Sequence, residues 1–369
     1  YNGIVTATLL QQHCHSNIVT AKHDRGSEIM AGNVREIAAK ANVSIATVSR
    51  VLHQAENVKA ETREKVEKAM REMGLSPEDL VRSAKRDGRT VGVLIPDLTN
   101  SFFIDVIQGI EERAEQMGIK VIICHTKDSD RTEIQYLRLM KELQVAGIII
   151  TPVSDDDDNI NNEYLNLLSN MKIPVVLVDR DVKYTRHAGV FVDNEYGAFE
   201  ATKLLLENGH RNIALIAGPL NTVPGRGRRK GYQDAFKFMN TPIREELIFN
   251  GDFSITSGKL ITRHILNDYP EVTAIFSCNN HMTLGCISEL VGAGVKIPND
   301  MALVGFDDLP IVNMFHYKLT VVDRPSREMG YQAMKLMSKF LKGGKSGIEQ
   351  RIILTPKLIV RGSEQLCSK

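Results

Sequence analysis

Carboxylates, amides, arginines and aromatic rings recur in this sequence directly after short apolar runs. Asn100, Phe102 and Phe103 follow the run 91–95, Asp179 and Arg180 stand at the end of 174–179, and Asp193 closes 189–193. Arg226 and Arg228 come after the run 212–217 by way of Gly218-Pro219, and Phe253 follows 247–251. Asn279 follows 273–278, Asp307 follows 301–306, and Arg324 ends the segment Leu319-Thr320-Val321-Val322-Asp323-Arg324. An aromatic face packs against the apolar face of a sugar ring, while carboxylates, amides and guanidinium groups bind its hydroxyls. Such a set suits the holding of a small polar ligand. Catalysis is less well served: there is no GxSxG elbow, no GxGxxG after the first run and no phosphate-cradling GxxxxGK[ST]. The 10 histidines are dispersed, and His281, which falls near the set, has neither a nucleophile nor a metal partner at useful spacing. The 5 cysteines, Cys14, Cys124, Cys278, Cys286 and Cys367, show no CxxC spacing. Neither a metal site nor a disulfide framework is expected, and no cofactor.

A second group of residues has a different chemistry. Between residues 34 and 73 the pattern is helical in short pieces: Val34, Ile37, Ala38 and Ala41 share one face, Asn42-Val43 breaks it, and Ser44 stands as N-cap for 45–52. Val66, Ala69, Met70 and Met73 then recur at helical spacing. Three short helices, two of them joined by a tight turn, describe a helix-turn-helix. With Ala38, Ala41, Val43, Val48 and Leu52 filling the small core, Ile45, Ala46, Ser49 and Arg50 face outward on the second helix. Arg50 can pair with guanine O6 and N7, and Ile45 and Ala46 suit thymine methyl groups. Hydroxyls at Ser44, Thr47 and Ser49 can hold phosphates, which sets register without reading sequence. The competing reading makes Ser44 and Thr47 plain helix caps and Arg50 a solvated charge.

The elements that must position these residues follow from the rest of the chain. At 369 residues it exceeds what one core usually organises, and its 43% hydrophobic and 25% charged residues are those of an ordinary globular protein. The net charge of +1 hides an asymmetry: residues 33–90 carry 12 Lys/Arg against 9 Asp/Glu, and residues 91–369 carry 32 against 34. A mildly basic head suggests a polyanion partner. No apolar run reaches the roughly 20 residues that cross a bilayer, and residues 1–10 lack the pattern of a secretory signal. From residue 89 onward, apolar runs of strand length (91–95, 120–125, 147–151, 174–179, 189–193, 212–217, 247–251, 273–278 and 301–306) alternate with amphipathic helices. Apolar rather than alternating runs fit parallel strands buried on both faces. The fold class is α/β: a three-helix headpiece, then a doubly wound parallel-sheet domain long enough for two lobes, whose ligands sit beyond the carboxyl ends of its strands.

The string from Ile37 to Leu52, Ile-Ala-Ala-Lys-Ala-Asn-Val-Ser-Ile-Ala-Thr-Val-Ser-Arg-Val-Leu, and the later Thr62-Arg63-Glu64-Lys65-Val66 resemble the headpiece of LacI/GalR regulators, and the resemblance continues to about Gly362. The body is also similar to the periplasmic ribose-type binding proteins. The resemblance implies a homodimer on a near-palindromic double-stranded DNA operator, a sugar-like effector, a cytoplasmic home and no membrane partner. It implies that Phe102, Phe103, Asp179, Arg180, Arg228, Asn279 and Asp307 face the ligand. It also implies a hinge helix near Pro77, where Arg82 and Ala84 approach DNA, although Ala84 stands where the family has a wedging leucine and is a poor wedge. The expected divisions are a tail at 1–32, the headpiece at 33–76, the hinge at 77–90 and the sensor at 91–369. Within the sensor, one lobe spans about 91–209 and 322–345 and the other about 210–321 and 346–366. Two departures bear on the ligand: Asn280 replaces the family's usual aspartate, and Arg324 its usual glutamine. If Arg180, Arg226, Arg228 and Arg324 converge on the cleft, the ligand is an acidic sugar. If Arg324 instead pairs with Asp307 or Asp323, the ligand can be neutral. A periplasmic-type binding protein and an α/β enzyme are the alternatives; the first has no use for the unit at 34–73.

Overall fold

The computed structural model describes residues 37–44, 47–48, 51, 60–73, 90–153, 167–168, 170, 173–182, 187–309, 312, 318–343 and 350–366. The chain divides into two compact units, 1–87 and 88–369.

In the first unit the apolar spacing read from the sequence becomes a small core. Ile37, Ala38, Ala41, Val48 and Val51 are buried with Val66, Ala69 and Met70 of helix α1 (Ala60–Glu72), and Val43 and Met73 pack at the margin. Ser44 caps the turn that follows, its Oγ accepting from the Thr47 amide at 3.1 Å. Leu52 and the hinge lie outside the described residues.

The second unit contains, among the described residues, strands β1 (Thr90–Ile95), β2 (Lys120–His125), β3 (Gly147–Ile150), β4 (Val175–Val178), β5 (Ala188–Val192), β6 (Ile213–Ala217), β7 (Ile248–Asn250), β8 (Ala274–Ser277), β9 (Ala302–Phe306), β10 (Thr320–Asp323), β11 (Arg351–Leu354) and β12 (Lys357–Ile359). The helices are α2 (Ser101–Gln116), α3 (Asp130–Glu142), α4 (Asn194–Glu207), α5 (Val223–Phe238), α6 (Ile255–Asp268), α7 (Asn280–Gly292) and α8 (Ser326–Leu341). The strands form two six-stranded sheets, ordered β11-β5-β4-β3-β1-β2 and β12-β10-β9-β8-β6-β7. Pairing is parallel except between β10 and β12. Two cores account for the apolar runs of the first sheet: Val91, Val93 and Ile95 of β1 face α2 and α8 on one side, and Leu94 joins Leu137 and Met140 of α3 on the other. Strands buried on both faces have no polar side to show.

The chain passes between the lobes three times, the first and third at places other than those the sequence suggested. β5 belongs to the first sheet, but Asp193 caps α4, whose Ala198, Ala201 and Leu205 lie in the core of the second sheet. The first crossing is thus at Asp193, not near 209. The second follows Asp323, since all of β10 pairs in the second sheet while α8 packs on the first. The third lies between β11, which extends the first sheet beside β5, and β12, which returns to the second. Assigning 346–366 wholly to the second lobe is corrected accordingly: the parallel partner that β5 still needed on its open side is supplied by 351–354.

Where α2 and α8 cross, glycine makes the contact. A Cβ on Gly330 of α8 would overlap the Val106 carbonyl of α2, and one on Gly109 of α2 would overlap the Arg327 carbonyl of α8.

Candidate ligand-binding site

The carboxyl ends of strands from both sheets surround a cavity of about 520 Å³. From the first lobe it is lined by Pro96, Asp97, Thr99, Asn100, Phe102 and Phe103 after β1, by His125, Lys127 and Asp128 at the end of β2, and by Asp179 and Arg180 after β4. From the second come Pro224 and Arg228 of α5, Asp252, Phe253, Ser254 and Ile255 after β7, and Asn279 and His281 after β8, with Arg324 from the second crossing. The backbone is bent to aim these groups. Lys127, Asp128, Asp179 and Phe253 all have positive φ, as does Asp307 just behind the wall at 72°. Non-glycine residues held in this region cost free energy and cluster where a site requires it. Asn100 and Asn279 hold the starts of α2 and α7: the Phe102 amide donates to Asn100 Oδ1 at 3.0 Å, and the Met282 amide to Asn279 Oδ1 at 2.8 Å.

The arginines meet carboxylates and carbonyls of the protein itself. Arg324 donates through Nε and Nη2 to both oxygens of Asp307, at 2.5 and 2.8 Å, and through Nη1 to Asp179 at 2.5 Å. Its guanidinium carbon lies 3.4 Å from the centroid of the Phe102 ring. Burial opposes its charge, yet Asp307 and Asp179 together hold it above the ordinary arginine value. Arg228, 1% exposed, donates to Asn194 Oδ1 at 2.9 Å and to the Cys278 carbonyl, and lies 3.8 Å above the Phe306 ring. Burial, aided by Arg324, lowers its pKa to about 10, so it remains charged at neutral pH. Arg180 donates to Asp128 at 2.7 Å and to the carbonyls of Val153 and Pro152.

Most of the ligand set expected from the sequence therefore converges on one cavity: Asn100, Phe102, Phe103, Asp179, Arg180, Arg228, Phe253, Asn279 and Arg324. Three members do not. Asp193, which caps the Tyr196 amide, and Arg226, which donates to the Leu220 carbonyl, line a second cavity of about 520 Å³. Asp307 is screened from the first cavity by Arg324. The acidic-sugar argument is corrected at the same point. Arg226 is not at the cleft, and among the side chains lining it Lys127, Arg180, Arg228 and Arg324 are matched by Asp97, Asp128, Asp179 and Asp252. The sequence reading missed His125, Lys127, Asp128, Asp252, Ser254 and Ile255. The rule that ligands sit beyond strand ends, applied after β2 as it was after β1, would have found the first three.

Of the residues assigned to DNA, Ser44 and Thr47 are described: they share a hydroxyl hydrogen bond of 2.8 Å in the turn before the second helix. Ile45, Ala46, Ser49, Arg50, Arg82 and Ala84 lie outside the described residues. Among the described residues, no helix is long and apolar enough to cross a membrane.

Comparison with known proteins bears on both units. Residues 33–78 match the model of bacterial regulatory proteins of the lacI family, and residues 88–359 that of periplasmic binding proteins and the sugar binding domain of the LacI family. The HTH-type transcriptional regulator DegA of Bacillus subtilis (strain 168) is 33% identical over 337 residues, 90% of this chain and 98% of its own. Among solved structures, a complex of the transcriptional regulator CelR with cellobiose is similar with TM-score 0.68 and 28% identity, covering 89% of this chain and 99% of that one. The lac repressor dimer bound to operator and the anti-inducer ONPF is similar with TM-score 0.67 and 27% identity, covering 89% and 98%. With both units matched in order, and relatives aligned over nearly their full length, this chain belongs to the LacI family of bacterial transcriptional regulators.

Proposed function

We propose that the chain is a repressor, not an enzyme, which binds operator DNA in the cytoplasm as a homodimer and releases or tightens its grip when a neutral, hydroxyl-rich ligand of sugar type enters the cavity at the strand ends. The observation that carries the ligand class is the commitment of the arginines. Arg324 is engaged through all three of its nitrogens with Asp307 and Asp179, and Arg228 and Arg180 bond to Asn194, Asp128 and carbonyls of the protein, so their charge is largely met from within, although the buried Arg180 Nε is left without a hydrogen-bond partner. Phe103 and Phe253 supply apolar faces, and Asp97, Asp252 and Asn279 supply hydrogen-bonding groups; about 520 Å³ lies within the range usual for small-molecule sites. That similar regulators are known with cellobiose and with ribose bound supports the same class of ligand here. On the DNA side, Arg50, Ile45 and Ala46 read bases, Ser44, Thr47 and Ser49 hold phosphates, and Arg82 and Ala84 approach the groove from the hinge. The dimer places two headpieces on two half-sites.

A thermal-shift panel of neutral sugars, sugar acids and sugar phosphates tests the ligand class, because a ligand that binds the folded state raises the apparent melting temperature with its concentration. A neutral sugar giving the largest shift is the expected result. A sugar acid or phosphate that binds more tightly than its neutral counterpart would overturn the reading.

A further inference from the structure

Two residues, Asn280 and Arg324, both bond from one lobe to the other. Asp307, which Arg324 grips with two hydrogen bonds, ends β9 in the second sheet; Asp179, which it grips with a third, ends β4 in the first. All three side chains are buried: Arg324 is 4% exposed, Asp179 6% and Asp307 7%. Elsewhere along the seam, Asn280 at the start of α7 donates from Nδ2 to Asn100 Oδ1 at 2.7 Å and to Ser101 Oγ at 3.1 Å, both on the first lobe. Asn100 Oδ1 already accepts from the Phe102 amide, so a partner across the seam must be a donor. A carboxylate at position 280 would set acceptor against acceptor at Asn100 Oδ1; the amide does not. His281 Nδ1, 3.5 Å from Asp97 Oδ2, lies along the same seam.

We propose that Arg324 and Asn280 are built-in clasps that close the two lobes of this sensor before any effector arrives, and that they set its specificity by doing so. Where a ligand is the only bridge between two lobes, its binding energy must also close them. Here the chain supplies the bridges. Arg324 also withdraws Asp179, Asp307 and one face of Phe102 from the ligand, which confines recognition to the part of the cavity nearer Asp97, Asp252 and Asn279. Apparent affinity scales with the fraction of molecules in the competent state, so a pre-closed sensor gains affinity for ligands that fit the closed volume and loses those that do not. Only this statement about specificity rests on the neutral-sugar reading; closure itself does not.

The test therefore uses no ligand. The full-length protein and its N280D/R324Q variant are compared by hydrogen exchange at the seam, in the amides of 97–103, 179–180 and 279–283, and by small-angle scattering. Without Arg324, two carboxylates face each other uncompensated, and with a carboxylate in place of the Asn280 amide the second bridge meets an acceptor. Expected for the variant are exchange at least tenfold faster in these three segments, unchanged exchange in β1 and β8, and a larger radius of gyration. If the double variant does not fold, R324Q/D307N, which removes one of the two carboxylates with the cation and keeps the Asn280 bridge, takes its place, with faster exchange expected at 179–180. Exchange and scattering indistinguishable from those of the unmodified protein would overturn the proposal, as would an unmodified protein whose seam already exchanges as fast as its exposed loops. A sensor that binds an acidic sugar would leave this result untouched.

Discussion

Asp323 closes β10 one residue before Arg324, half-buried and under the field of two other carboxylates. Burial first, then Asp308 and Asp307, push its pKa up to about 6, against the smaller opposing effects of Arg361 and Arg324. A folded-state pKa raised above the ordinary value of about 3.9 means that the native protein holds this proton more tightly than the unfolded chain does. Its favourable contribution is complete below about pH 4 and is lost as pH rises through about 6, leaving a penalty at neutral pH on the order of 1–2 kcal/mol once partial exposure is allowed for. Asp323→Asn should accordingly raise the melting temperature at pH 7.5 and leave it nearly unchanged at pH 4, measured by calorimetry across that range; an equal effect at both pH values would remove the electrostatic explanation. At this scale the sequence was readable where placement follows from position, as with Phe102, Asp179 and Asn279, which stand at strand ends and line the cavity. It was not readable where function follows from partners. Arg324 has its carboxylates 17 and 145 residues away, and only the meeting of two sheets decides that it grips them and not a ligand.

The helices α2 and α8 come together through Gly109 and Gly330, each beneath a backbone carbonyl of the other helix. Alanine normally improves a helix by about 0.5–1 kcal/mol over glycine. At position 330 the added methyl would meet backbone, which cannot rotate away, and such overpacking typically costs about 1–3 kcal/mol. Gly330→Ala should therefore lower stability by about 2 kcal/mol in chemical denaturation, and a gain instead would show that the pair is loosely packed. Elements of this second unit were legible in proportion to how far both faces of a strand are buried. β1, β3, β4, β6, β8 and β9 announce themselves as apolar runs, whereas β11 and β12, at the margins of their sheets, have only exposed and half-buried residues, Arg351 and Lys357 among them. Their few apolar residues carry too little pattern to separate them from loop, and with them went the position of the third lobe crossing.

At the scale of the whole molecule, the headpiece and the sensor are separate units, and their functions should separate in the same way. Arg50→Ala should cost about 1–3 kcal/mol per half-site at one guanine of the operator, read by fluorescence anisotropy with operator variants, while the thermal shift given by an effector stays the same. Unchanged discrimination among those variants would remove Arg50 from base reading. Light scattering at micromolar concentration should give twice the monomer mass with and without DNA, and a monomer in both would contradict the paired headpieces. The three crossings have a consequence for how the molecule is made. Neither lobe is a continuous stretch of chain, and each sheet takes a strand from beyond residue 350: β11 completes the first and β12 the second. A nascent chain halted after β9 has most of both sheets but has not yet made β10, α8, β11 or β12, so one of the two helices that cover one face of the first sheet is still missing. Translation thus holds both lobes open along one edge until its last stretch. Arrested chains ending near residue 309 should be cut rapidly by protease throughout 90–309, and those extended past residue 360 should resist it.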